Sequence, residues 1–151
     1  FTKWLKHRSR ARKVREENSL KSIYHVLESE GMERSGNTVS LKDLSNLRKM
    51  SMAEIVTELK NMERLGSVQL EGEKVSLTDD GFMKARSVVR NHRLWELYLT
   101  NEANYASDHV HDDAEKVEHF LSEEKVTELE SYLDYPQEDP HGKPIPGRAG
   151  T

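Results

Sequence analysis

The chain has 151 residues, of which 33% are charged and 34% are hydrophobic. It contains no cysteine, which excludes a disulfide framework, a Cys-type structural zinc site and thiol catalysis. The length suits one compact domain or two small ones, and no apolar run approaches the roughly 18–20 residues of a membrane span.

The net charge of −4 conceals an uneven distribution of charge along the chain. Residues 1–15 carry seven Lys or Arg and no acid, so the other 136 residues hold 16 basic and 27 acidic side chains. Phe1, Trp4 and Leu5 precede the basic run, which is the pattern of a membrane helix at its cytoplasmic exit. We interpret residues 1–17 as a basic juxtamembrane segment of a longer protein. The alternative is a solvated arm, or an arm that contacts nucleic acid.

Residues 18–78 show the pattern of a winged helix-turn-helix. Apolar residues at helical spacing predict a first helix, and two serines are candidate N-caps of short second and third helices. A two-stranded ribbon follows, joined by a turn at Gly72. The candidate helix starts are Leu20, Ser40 and Ser51. The strand-like stretches are residues 67–70 and 75–78.

Residues 79–147 are predicted to be helical, and residues 148–151 form a tail. A long helix comes first and ends near Leu99, and Asp108 and Ser122 are candidate caps of two shorter helices. The Pro/Gly-rich end is predicted to be irregular. The expected fold class is therefore mainly α with a small β-wing, a winged helix-turn-helix followed by a helical domain.

Six nitrogen and oxygen donors lie on two consecutive predicted helices. Two of them are one turn apart within the apolar face of the long helix, where an unpaired carboxylate would cost several kcal/mol. The other four are spaced 0, +4, +7 and +8, which places them within an arc of about 100°. A shared divalent cation would satisfy all of them; core histidines beside a solvated acidic face are the alternative. The six donors are His92, Glu96, His111, Glu115, Glu118 and His119.

Three strings of residues carry a family resemblance: RNHRLxE from Arg90, HVHDDAExxEHxLS from His109 and PxxDPHGxPIP from Pro136. In this order they resemble the iron-dependent and manganese-dependent repressors related to the diphtheria toxin repressor. The resemblance implies a winged-helix DNA-binding domain, a helical dimerisation domain that forms a homodimer, and two adjacent metal sites. We expect no ligand role for His7 and His25, which lie outside these strings. We also expect none for His109 and His141, which lie within them.

The implied ligands divide between two branches of the family. The positions that match ligands of the manganese-responsive branch are His92, Glu115, Glu118 and His119. The positions that match the ancillary site of the iron-responsive branch are His92, Glu96 and His111. The family's first helix also supplies ligands, and those positions are Asn18 and Lys21 here. Asn18 offers an amide oxygen as a weak ligand, whereas the Lys21 cation cannot serve.

The implied metal follows from the type of donor atom. Position 115 is Glu, where the iron-responsive branch commonly has Cys, so the whole set consists of oxygen and nitrogen donors. Such donors favour Mn²⁺, with Fe²⁺ as the second choice, and they would also hold Zn²⁺ or Co²⁺ in vitro.

The predicted recognition helix carries carboxylates at its start. Glu54 and Glu58 stand where base contacts are usually made, and a duplex would repel them. We therefore expect DNA binding to be weakened or lost. The residues left as candidate DNA contacts are Arg48, Lys49, Thr57 and Lys60.

These observations favour a regulatory rather than an enzymatic role, since no nucleophile elbow, phosphate loop or HExxH motif is present. Some manganese/iron ABC-transporter permeases resemble this arrangement, with a repressor-like domain after the last span. We expect the chain to be such a tail, on the cytoplasmic face of the cell membrane, where it senses metal and regulates uptake. The alternative is a free-standing metal-dependent repressor of metal-uptake genes.

Overall fold

The computed structural model describes residues 2–102 and 123–147. The elements, in chain order, are α1 (Thr2–Ser29), β1 (Thr38–Ser40), α2 (Leu41–Arg48), α3 (Met52–Arg64), β2 (Val68–Glu71), β3 (Lys74–Leu77), α4 (Asp79–Glu102) and α5 (Glu123–Tyr132). The chain divides into two compact units, Phe1–Ala85 and Arg86–Thr151. None of the described helices combines the length and the apolar composition that crossing a bilayer requires.

The first unit contains three helices and a small antiparallel sheet in the order β1-β3-β2. In this sheet Val39 lies opposite Val75, and Val68 lies opposite Leu77. The ribbon of β2 and β3 is confirmed. Strand β1 is not predicted from the sequence, because three residues are too few to show an alternating pattern. Helices α1–α3 with this ribbon confirm the winged helix-turn-helix.

One apolar core fills the first unit. Helix α1 contributes side chains at the spacing i, i+3, i+4 and i+7, which lines them up on one face. These residues are Leu20, Ile23, Tyr24 and Leu27, and all are buried. The other apolar residues of this unit that are buried are Val39, Leu41, Leu44, Ile55, Leu59, Met62, Val68, Val75, Leu77 and Ala85.

Helix α1 begins much earlier than the apolar pattern indicates, since it runs from Thr2 without a break. Its first half contains no Pro or Gly and is rich in Lys and Arg, which are good helix formers. Lys13 also lies 3.8 Å from Glu17 as an i, i+4 pair. The basic segment is thus helical, and the proposed boundary at residue 17 falls inside one helix.

Serine side chains begin helices α2 and α3, as predicted. The hydroxyl oxygen of Ser40 accepts from the Lys42 N–H at 3.2 Å. The hydroxyl oxygen of Ser51 accepts from the Glu54 N–H at 3.2 Å, and the hydroxyl donates to the Glu54 carboxylate at 3.0 Å. Both serines therefore satisfy amide groups that have no partner within the helix.

Replacing Ser51 with alanine is expected to lower the free energy of unfolding by about 1 kcal/mol, because the Glu54 amide loses its acceptor. Urea denaturation measures this loss. Ser29→Ala is the matched control, since the Ser29 hydroxyl donates to the Val26 carbonyl at an exposed helix end and caps no amide. Its cost should stay within about 0.5 kcal/mol. Equal losses in the two variants would contradict the capping role.

The second unit packs α5 and the segment after it on the later part of α4. Leu94, Val126 and Leu129 form its buried core. The partly buried residues around this core are Trp95, Tyr98, Leu133 and Ile145. The helix predicted after Ser122 is confirmed as α5, whereas the helix predicted after Asp108 lies outside the described residues. Beyond α5, residues 133–147 form turns, irregular segments and one isolated bridge, between Glu138 and Pro144.

Candidate metal centre

One turn of α4 places an imidazole beside a carboxylate. His92 and Glu96 are four residues apart, so the helix stacks them on the same face. Nε2 of His92 lies 2.6 Å from Oε1 of Glu96, and the two side chains are 4% and 3% exposed. A carboxylate so far from solvent requires nearby positive charge or hydrogen-bond donors.

A tight turn, Asp139–Gly142, brings two further donors to the same unit. Oδ1 of Asp139 accepts from the backbone N–H groups of His141 at 2.9 Å and Lys143 at 2.8 Å. An aspartate that bonds the backbone two residues ahead stabilises such a turn. Gly142 has a φ of 80°, which glycine adopts without strain. The turn fixes Asp139 in a buried position and leaves His141 partly exposed.

Arginine side chains of α4 hold the segment that contains this turn. Nη1 of Arg93 donates to the Pro144 carbonyl at 2.5 Å, and Nη2 of Arg86 donates to the Gly147 carbonyl at 3.3 Å. Arg93 is almost completely buried. These bonds set the position of the turn relative to α4 within the second unit.

Glu96, Asp139 and His141 come together as a cluster of metal-binding type. One ligand atom from each lies within 4.8 Å of the others, and Oε2 of Glu96 is 3.7 Å from Nδ1 of His141. Donors that share a cation at bond lengths of about 2.0–2.2 Å lie roughly 3–4.5 Å apart. Two carboxylates and an imidazole form a donor set that suits Mn²⁺ or Fe²⁺. The residues present therefore fit a divalent cation.

The structure describes only part of the predicted ligand set. It brings His92 and Glu96 together, and both lie at the cluster. Asn18 belongs to the first unit, where its Oδ1 is buried and has no hydrogen-bond partner among the described residues. The predicted ligands that fall outside the described residues are His111, Glu115, Glu118 and His119.

Asp139 and His141 are not among the predicted ligands, and His141 is expected to have no ligand role. Helical spacing reveals only donors that share a helix, whereas these two lie in an irregular segment. A signal is nevertheless present, because Asp-Pro-His-Gly combines a turn-forming Asp with a Gly and places both donors two residues apart.

The candidate DNA contacts lie in the first unit. Arg48 is engaged internally, because its guanidinium lies 3.6 Å from the buried Glu58 carboxylate and donates to the Ser19 hydroxyl at 3.3 Å. Ser19 also donates to Glu58, so these side chains link α1, α2 and α3. The other three candidates are exposed: Lys49, Thr57 and Lys60.

Residues 78–147 match the family described as iron dependent repressor, metal binding and dimerisation domain. Residues 78–147 of this chain are therefore a domain of the metal-dependent repressor family. Its structure is similar to a solved manganese-dependent transcriptional repressor in complex with manganese, with a TM-score of 0.78 and 37% identity. That match covers 90% of this chain and 60% of the solved one. The predicted fold class and the family resemblance are confirmed.

Two curated relatives carry different descriptions. The chain is 41% identical over 83 residues to a probable metal transport system membrane protein of Chlamydia trachomatis serovar D, covering 55% of this chain and 18% of that protein. It is 34% identical over 122 residues to the diphtheria toxin repressor of Corynebacterium efficiens, covering 80% of this chain and 46% of that protein. The chain thus spans less than half the length of either relative.

Proposed function

We propose that the chain is a divalent-metal sensing domain that binds Mn²⁺ or Fe²⁺ and regulates metal uptake. The observation that carries this proposal is the cluster of Glu96, Asp139 and His141 in the second unit. A cation bound there would supply positive charge to two carboxylates, one from α4 and one from a turn. By the same donor chemistry, Zn²⁺ or Co²⁺ would also be held in vitro.

The described residues would have different roles in such a site. Glu96 and Asp139 are buried and contribute the negative charge, and His141 closes the cluster from its exposed side. His92 fixes the orientation of the Glu96 carboxylate through their 2.6 Å contact. We propose that the remaining predicted donors of the second unit complete the coordination. These donors are His111, Glu115, Glu118 and His119.

We further propose that the domain is the cytoplasmic tail of a manganese or iron ABC-transporter permease. The support is the 41% identity to a chlamydial protein described as a probable metal transport system membrane protein. In this setting the domain would lie on the cytoplasmic face of the membrane and report metal supply to the transporter. The helical domain would form the homodimer contact, as the description of the family indicates.

A free-standing repressor that binds DNA is the alternative, and the first unit supports it less well. The exposed side of α3 includes Glu54 and faces a cleft of ≈ 530 Å³ whose other wall includes Arg12, Arg15 and Glu16 of α1. Burial raises the pKa of Glu16, although Arg12 acts in the opposite direction. A helix that enters the major groove brings its exposed side chains against the duplex, which would repel the Glu54 carboxylate.

Equilibrium dialysis of the chain against Mn²⁺ tests the metal part of the proposal, and we expect at least one bound ion per chain. A mobility-shift assay tests the alternative of a free-standing repressor. It uses the promoter region of the gene that encodes this chain, with Mn²⁺ and excess competitor DNA, and we expect no specific complex. A specific Mn²⁺-dependent complex would favour the repressor. If the chain binds neither Mn²⁺ nor Fe²⁺, the proposed metal-sensing function is wrong.

A further inference from the structure

The first half of α1 carries seven basic residues before its first acid, Glu16. Between Thr2 and Arg15 no residue is acidic, and every residue from Thr2 to Arg10 is exposed. At a rise of 1.5 Å per residue, these nine exposed residues extend α1 by about 13 Å. We call the basic residues between Thr2 and Arg15 the basic end of α1. They are Lys3, Lys6, Arg8, Arg10, Arg12, Lys13 and Arg15.

The helical conformation distributes this charge over two opposite faces of the helix. At about 100° per residue, one set of basic residues falls on one face and the rest on the opposite face. The first set consists of Lys3, Lys6, Arg10 and Lys13. The second set, Arg8, Arg12 and Arg15, lies on the side of Trp4.

Two large apolar side chains lie at the tip of the same stretch. Trp4 is 56% exposed and Leu5 is 46% exposed. The guanidinium of Arg8 lies 5.4 Å from the centre of the Trp4 ring, a cation–π arrangement. Exposed apolar and aromatic residues followed by a ring of cations match the chemistry of a bilayer interface, where tryptophan sits at the level of the headgroups.

We propose that the basic end of α1 binds the headgroups of an anionic lipid bilayer, with Trp4 and Leu5 at the interface. This inference adds a lipid partner to the proposed membrane setting, but it rests on α1 alone and does not require the metal centre. An end-on approach suits the charge distribution, because headgroups can then contact the basic residues on both faces of the helix. Lipid binding would fix where the winged-helix unit stands relative to the membrane.

The same features make duplex DNA the poorer partner. A duplex laid along α1 would meet Glu16, Glu17 and the Glu54 side chain of α3, and it would leave Trp4 and Leu5 in water. In the end-on approach the first acid, Glu16, is about 20 Å along the helix from Thr2. Screening in physiological salt acts over about 8 Å, so a bilayer at the tip would interact more strongly with the basic residues nearer to it than with these carboxylates.

Co-sedimentation of the whole chain with lipid vesicles tests the proposal. We expect binding to phosphatidylcholine vesicles that contain a quarter phosphatidylglycerol, and little binding to pure phosphatidylcholine. The measurements are made in about 0.15 M salt, once with EDTA and once with Mn²⁺, and we expect the same result in both. If the chain binds vesicles but no metal, the lipid proposal is supported and the proposed metal-sensing function is wrong.

Charge-neutralising variants locate the binding surface. Lys3→Gln, Lys6→Gln, Arg10→Gln and Lys13→Gln combined should weaken vesicle binding by a hundredfold or more, at roughly fivefold per charge. The matched control replaces four exposed lysines elsewhere with Gln and changes the net charge equally. These lysines are Lys42, Lys60, Lys74 and Lys125. The control should bind as the parent does, and equal losses in the two variants would overturn the proposal.

Two further measurements distinguish a bilayer from other anionic partners. Trp4→Ala should weaken vesicle binding several-fold while leaving the helix content of the chain unchanged by circular dichroism. Mixed-sequence duplex DNA, added at the same phosphate concentration, should fail to displace the vesicles. Displacement by DNA, or a Trp4→Ala variant that binds like the parent, would overturn the lipid assignment.

Discussion

Replacing Glu96 with glutamine is expected to remove most of the Mn²⁺-dependent rise in the melting temperature of the chain. A ligand at a hundred times its Kd that binds only the folded state adds about 2.7 kcal/mol, or roughly 5–10 °C for a chain of this size. Loss of a group that only supports a metal ligand weakens binding about 10–100-fold, and loss of a ligand itself should cost at least as much. Thermal melts over a Mn²⁺ series measure the effect.

Glu138→Gln is the matched control, because Glu138 lies in the same segment and is exposed. It removes the same charge, and its melting temperature should rise with Mn²⁺ as the parent's does. His119→Ala separates two locations of the cation. If His119→Ala abolishes the rise and Glu96→Gln does not, the cation is held by the predicted donors outside the cluster. A parent-like response of Glu96→Gln would therefore contradict the cluster as the site.

The first unit could be predicted from its sequence because its signals are local. The apolar spacing on α1 and the serine caps of α2 and α3 each depend on residues within one or two turns. The start of α1 could not be predicted in the same way, because Thr2 to Arg10 are exposed and leave no apolar pattern. Their helical state follows from propensity and from continuity with the packed half of α1.

The metal centre could be predicted only in part from local sequence patterns. His92 and Glu96 share a helix, so their proximity follows from the spacing alone. Asp139 and His141 reach Glu96 only because the segment beyond α5 is hydrogen-bonded back to α4, through Arg93 and the Pro144 carbonyl. No short-range pattern encodes that tertiary contact. A search for donors on helices therefore finds one side of the cluster and misses the other.

Gly81 occupies a position at the start of α4 where a side chain cannot fit. A Cβ added to Gly81 would overlap the carbonyl oxygen of Ser67 and lie 2.7 Å from its carbonyl carbon. The close approach is maintained by Thr78, whose N–H donates to the Ser67 carbonyl at 3.1 Å. The Thr78 hydroxyl donates to the Gly66 carbonyl at 2.6 Å and accepts from the Gly81 N–H at 3.0 Å. The obstacle is thus backbone, which cannot rotate away.

Gly81→Ala is expected to lower the free energy of unfolding by about 3 kcal/mol or more, because the overlap forces α4 away from Ser67 and strains the bonds of Thr78. Helix propensity alone predicts the opposite sign, a gain of about 1 kcal/mol for alanine, so the sign of the change decides between the two effects. Urea denaturation followed by circular dichroism measures it. Met83→Ala, at an exposed position of the same helix, should stay within about 0.5 kcal/mol of the parent. A Gly81→Ala chain as stable as the parent would show that the backbone of Ser67 moves freely, and that its contact with α4 does not hold this part of the first unit together.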